Sequence, residues 1–240
     1  MLTSDWLISL VDRLFVVYLC SMTDQIAVIF DMDGVICHTN PYHSKAFREF
    51  FSKRNLSPTD ADFAAHMYGK SNSYILSHFL ERVVEGEELL QLEDEKESLF
   101  RKIYEPFVEP ISGFVSFIED LKNNQVKLGV ATSAPRANLD LILGKVQVMD
   151  YLGSVLASEN VTKHKPDPEV YLASAKNLGV RPEQCVVFED SFSGVSAAIN
   201  AGMRVVGVLS SHTIEELPPC NLYISDYHEM YFAKVKALFA

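Results

Sequence analysis

Basic residues are scarce: 21 Lys and Arg stand against 32 Asp and Glu in 240 residues, and no stretch gathers them into a cluster. With a formal net charge of -11 the chain lacks the positive patch that nucleic acid or an anionic membrane surface requires, so neither is expected as a partner. A small anionic substrate is not excluded, because a local cation can override the average charge. Cysteine is sparse as well. Cys20, Cys37, Cys185 and Cys220 form no C-x-x-C pair, which gives no zinc or redox signature and fits reduced thiols in a cytoplasmic protein. Long apolar runs are missing too. The longest N-terminal one, residues 14–20, is too short to span a bilayer. Residues 1–21 carry Asp5 and Asp12 with Arg13 as their cation, unlike a secretory signal with its positive start and small-residue cleavage site. Two readings stand for a 1–22 extension: Met22 is the natural start, or the segment is a loosely packed helix. No repeat or low-complexity tract occurs.

What is present is a globular composition, 48% hydrophobic and 22% charged, long enough for one α/β domain with an insertion or for two small domains. Residues 26–30 (IAVIF) form a continuous apolar run ending in DMDG, which suits a strand buried on both faces of a parallel sheet. Similar runs recur at 126–131, 185–188 and 205–208, with helical patterns at 114–123, 135–144, 168–177 and 193–201 between or after them. That alternation predicts βαβ units around a parallel sheet, with the strand C-termini sharing one edge where ligands bind. Residues 40–105 break the rhythm with four predicted helices, 42–53, 58–66, 71–84 and 87–104, and no good strand. The acidic run at 93–97 reads as a solvated helix face.

Four short blocks fall where strands should reach the shared edge. In Asp31-Met32-Asp33-Gly34, side chains at i and i+2 of an extended chain point the same way, so two carboxylates can face one substrate. Taken alone, the block could equally be an acidic turn. Thr132 and Ser133 follow the second strand and could hold phosphate oxygens, or could simply cap a helix. Lys165 sits in a loop stiffened by Pro166 and Pro168 and could neutralise charge on a nucleophile and a transferring phosphoryl group, although lysines before helices are common. Glu189 and Asp190 end an apolar strand, where they could bind a hard cation such as Mg²⁺ or cap the next helix.

Their order resembles the haloacid dehalogenase superfamily over residues 26–240. The helical insertion after DMDGV, with KPDPEVY and FEDSFSGVSAAINAGM, is similar to its β-phosphoglucomutase-like and small-phosphatase branch. The resemblance implies a Rossmann-like three-layer α/β core, residues 23–38 and 106–240, with a parallel sheet and an inserted all-helical cap, residues 39–105. It implies Asp31 as a nucleophile that forms an aspartyl-phosphate and Asp33 as general acid and base. It further implies Thr132 and Ser133 as phosphate ligands, Lys165 as catalytic cation, and a Mg²⁺ site of Asp31, Asp190, the main-chain carbonyl of Asp33 and Glu189.

The cap residues depart from the mutase pattern. His43 stands where mutases carry a histidine that helps the second aspartate, yet it could simply pack at the first cap helix. Asn72 stands where mutases carry an arginine for a distal phosphate, and an amide supplies no such charge. Lys70 and Arg136 remain as candidate substrate contacts. The expected function is therefore a Mg²⁺-dependent phosphatase of a small phosphorylated metabolite, a sugar phosphate among the options. β-Phosphoglucomutase is the alternative and a catalytically silent binding module a more distant one. A closure hinge is expected near 38–41 and 105–110.

Overall fold

The structure, a computed structural model, describes residues 25–67 and 71–240. The proposed 1–22 extension, Cys20 and Lys70 lie outside the described residues.

The run at 26–30 becomes strand β1 (Ala27–Phe30), and its neighbours are β2 (Lys127–Ala131) and β4 (Cys185–Glu189), both parallel to it. Two further strands complete the flanks: β3 (Ser154–Leu156) beside β2, and β6 (Leu222–Ile224) beyond β5 (Arg204–Val208). The order β3-β2-β1-β4-β5-β6, parallel throughout, is a Rossmann-like sheet. The apolar stretches of β3 and β6 are only about three residues long, too short to mark a strand alone, and both strands pair along β2 and β5.

Strand alternation explains the layers. Val28 and Phe30 enter one buried cluster with Phe114, Phe117, Phe188 and Tyr227, whereas Ala27 and Ile29 enter another with Val170, Tyr171, Val195 and Ala198. Helix α5 (Phe114–Asn123) thus covers one face, and α7 (Glu169–Leu178) with α8 (Phe192–Asn200) the other. Each large apolar side chain so enclosed contributes about 1.5–3 kcal/mol.

Between β1 and α5 lie α1 (Asn40–Ser52), α2 (Asp60–His66), α3 (Asn72–Phe79) and α4 (Gly86–Tyr104). Helix α3 ends before 84, where Glu81 adopts a positive φ of 54°. The first buried cluster runs on from the sheet into this helical block through Phe47, Phe50, Phe51 and Phe100. Among the described residues no helix is long and apolar enough to cross a membrane.

Candidate active site

The chain reverses direction of strand addition between β1 and β4, which is where open α/β sheets leave a crevice beyond the strand ends. Asp31 lies at that point, its N–H donating to the carbonyl of Phe188 at 3.0 Å. Gly34 turns the chain sharply at φ +72°, and a Cβ there would lie 2.0 Å from Asp190 Oδ2. Only a glycine lets the Asp31–Asp33 turn approach the end of β4 so closely.

Lys165 joins the two strand ends. Its ammonium donates to Asp31 Oδ1 at 2.6 Å, Glu189 Oε1 at 2.8 Å and the Ala131 carbonyl at 3.2 Å. Burial alone would lower the lysine pKa, but the Asp31 and Glu189 carboxylates outweigh it and raise it. Asp31 is pushed up to about 7, mainly by burial; Lys165 opposes this, while Glu189 and Asp33 add to it. Among the described residues, no hydrogen-bond donor reaches Asp31 Oδ2.

Glu189, expected in the metal set, is bonded differently from Asp190. Its Oε1 accepts from Lys165 and from Tyr171 at 2.8 Å, and its Oε2 from the N–H groups of Asp190 and Ser191 at 2.9 and 3.0 Å and from the Ser191 hydroxyl at 3.0 Å. Both oxygens are filled by protein donors, and although burial opposes it, Lys165 leads in holding the Glu189 pKa below the usual range. In this arrangement Glu189 anchors Lys165.

Asp190 differs. It is buried, and its pKa is raised well above the usual range by burial and then by Glu189 and Asp31. It is not the cap of α8: Ser191 is, accepting from the Gly194 N–H at 3.1 Å. Its Oδ2 receives the Ser211 hydroxyl, which is itself bonded by Asn40 at the start of α1. Among the described residues no three acidic, His or Cys side chains form a ready metal cage. A hard cation that keeps waters and takes substrate phosphate needs fewer: the negative excess around Asp31 and Asp190 fits such an ion.

Thr132 is buried after β2, its hydroxyl accepting from the Ala134 N–H at 3.1 Å, while α6 (Arg136–Val146) is capped by Pro135 instead. Ser133 beside it is exposed. Arg136 is not brought to the site: its guanidinium pairs with Asp140 at 2.8 Å, one turn on, along the exposed flank of α6.

Asp33 faces the helical block. His43 Nε2 lies 3.5 Å from Asp33 Oδ1, an oxygen that is buried and has no hydrogen-bond partner among the described residues. The His43 ring stacks on Phe100 at 3.7 Å between centroids, with its Nε2 turned toward Asp33. Its Nδ1 is 2.9 Å from Lys96 Nζ. The acidic run at 93–97 is therefore split: Asp94 is solvated, but Lys96 and Glu97 are only 2% and 3% exposed. Glu97 Oε1 accepts from Lys96 at 2.7 Å and from Asn72 at 3.0 Å, and Oε2 from Asn138 at 2.7 Å. Burial would raise its pKa, but the Lys96 ammonium, with the hydrogen bonds from Lys96 and Asn138, lowers it to about 2. The signal was available in the helical spacing, since Lys96 and Glu97 precede Phe100 by four and three residues on the buried face of α4.

A family profile described as haloacid dehalogenase-like hydrolase matches residues 28–208. The chain belongs to that family. It is an enzyme of the family's phosphohydrolase type. It is 34% identical to the phosphorylated carbohydrates phosphatase of Thermotoga maritima, over 77% of this chain and 86% of the relative. It is 26% identical to the chloroplastic 5-amino-6-(5-phospho-D-ribitylamino)uracil phosphatase of Arabidopsis thaliana, covering 89% of this chain but only 57% of the relative's length. The crystal structure of β-phosphoglucomutase from Clostridium difficile superposes with a TM-score of 0.77 at 28% identity, over 90% of this chain and 97% of that one.

Proposed function

We propose that the protein is a Mg²⁺-dependent phosphatase of a small phosphorylated metabolite, a sugar phosphate being the favoured class, that works through a phosphorylated Asp31. The observation that carries this reading is the state of Asp31: buried, paired with Lys165 through Oδ1, and with no donor to Oδ2 among the described residues.

In the first step Asp31 Oδ2 attacks phosphorus and the bond to the substrate's ester oxygen breaks. Asp33 delivers a proton to that leaving oxygen. In the second step Asp33 takes a proton from water as the water oxygen bonds to phosphorus, and the acyl-phosphate bond breaks to return Asp31 as a carboxylate. Thr132, with the main chain at Ser133, holds the phosphoryl oxygens, and Lys165 favours the carboxylate form of Asp31 and aims it. Asp31, Asp190 and the Asp33 main-chain carbonyl would hold a divalent cation, which when bound would neutralise charge on the nucleophile and the phosphoryl group. The Asp33 oxygen that lacks a partner among the described residues supports its role, because leaving such an atom unsatisfied costs about 1–3 kcal/mol in a protein interior. The helical block, residues 39–105, acts as the cap that selects the substrate.

Two relatives named above are phosphatases, and one of them acts on phosphorylated carbohydrates by name. Water as final acceptor is further supported by Asn72, whose amide is committed to Glu97 and offers no cation to a second phosphate. The likeness to a β-phosphoglucomutase favours isomerisation as the second reading. Phosphate release across sugar phosphates, assayed beside isomerisation of β-glucose 1-phosphate, separates the two: release should dominate, and faster isomerisation would overturn the phosphatase reading.

A further inference from the structure

The ion pair of Lys96 and Glu97 is an expensive feature for a helix to bury, since replacing such pairs by apolar side chains is often neutral or stabilising. Its contacts lead across the boundary between the helical block and the core. Asn138, fully buried on α6 of the core, gives its amide N–H to Glu97 and takes the Arg101 guanidinium on its Oδ1 at 2.9 Å. Arg101 lies one turn beyond Glu97 on α4, so both arms of Asn138 are held by the same helix. From Glu97 the path returns to the core through Lys96, His43 and Asp33.

An ammonium has no acceptor, so the Lys96–His43 contact makes Nδ1 the accepting nitrogen and leaves the ring hydrogen on Nε2, the atom facing Asp33. Phe47 and Phe100 enclose the Lys96 ammonium, at 4.4 and 6.0 Å from their ring centroids, and Phe100 also fixes the plane of His43.

We propose that Glu97 is a positioning residue for the reaction: by tying α4 to Asn138 and holding Lys96, it sets His43 against Asp33. The inference rests on the reading of Asp33 as general acid and base. Substrate bound by the block reaches Asp31 with a correctly held Asp33 only when the Asn138–Glu97–Lys96–His43 path is closed.

The donor and acceptor pattern permits a decisive swap. In Glu97→Gln the new amide N–H faces the Asn138 amide N–H, and Asn138 cannot turn over because Arg101 needs its oxygen. In Asn138→Asp two carboxylate oxygens oppose one another. In the double variant the amide introduced on α4 donates to the carboxylate introduced on α6. Arg101 still donates to that same carboxylate, and the net charge is that of the parent.

With an alkyl phosphate, whose leaving oxygen needs the proton of Asp33, and Mg²⁺, each single variant should lose about tenfold in kcat/KM and the double variant should recover to within about threefold of the parent. Melting curves on all proteins ensure that only folded enzyme is compared. In a His43→Ala background, Glu97→Gln should cost less than about twofold more, a non-additivity that a purely structural contact would not produce. Failure of the swap to restore turnover, or full additivity with His43→Ala, would overturn the positioning role. A parent enzyme that releases no phosphate would instead count against the phosphatase reading. Amide hydrogen exchange over residues 40–52 then tests the path without activity: faster in both single variants and restored in the double if the path exists, unchanged throughout if it does not.

Discussion

Asp33 and Lys165 differ in what their loss should do, because one moves a proton and the other holds a charge. Asp33→Asn keeps the size and leaves the Asp31–Lys165 pair intact. Turnover of an alkyl phosphate should fall by about 10²–10⁴, the usual worth of a general acid, while p-nitrophenyl phosphate, whose leaving group needs no proton, should lose less. Steady-state rates on both substrates check this, and equal losses would deny Asp33 the proton transfer. Lys165→Met leaves Asp31 and Glu189 buried without their shared cation, a break of a kind that destabilises by about 3–5 kcal/mol. Urea titration should read that loss. At this scale the sequence showed the acids and the lysine by their order, but not how their atoms divide the work. Glu189 next to Asp190 reads as a second metal ligand, and its sequence position does not reveal that Tyr171 and Ser191 donate to its oxygens. Lys96 and Glu97 sit inside a charged run whose composition speaks of solvent, whereas their packing is decided by Phe47, His43 and Asn138, which are far away in sequence.

Among the elements, the β4–α8 corner sets the geometry of Glu189 and Asp190. A Cβ at Gly194 would lie 1.6 Å from Glu189 Oε1, and this contact is with a side chain that already has its donors in place. Gly194→Ala should therefore unseat Glu189 and, through it, Lys165. We expect a stability loss of about 1–3 kcal/mol, the range for overpacking, together with a large loss of turnover, measured by thermal melting and phosphate release. The long buried strands were legible because their apolar runs exceed what a loop would carry. The three-residue β3 and β6 were not, since their apolar stretches are too short to mark a strand alone, and both pair along β2 and β5. The cap helices were legible in number, but α3 stops several residues early where Glu81 turns the chain.

For the whole molecule, electrostatics ties stability to metal and pH. Asp31 holds a proton up to about pH 7 in the folded chain and only to about 3.8 when unfolded, so its contribution to stability is present in acid and is lost as pH rises through that window. Asp190, also raised by burial, acts in the same direction, whereas the lowered Glu189 acts in the opposite one as pH falls. A divalent cation competes with the protons on Asp31 and Asp190. Mg²⁺ should thus raise Tm more at pH 8 than at pH 5, and Asp190→Asn should remove most of the difference; differential scanning fluorimetry across that range is the check. The two connections between block and core run side by side, Ile111 donating to the Ile36 carbonyl at 2.8 Å.

The central claim is that Asp31 carries the phosphoryl group. Mass spectrometry of enzyme quenched in acid during turnover of a slow substrate tests it most directly. The account predicts that the peptide containing Asp31 gains the mass of one phosphoryl group, that hydroxylamine removes it, and that Asp31→Asn never acquires it. A phosphoryl group found on another side chain, or substantial turnover by Asp31→Asn, would contradict it.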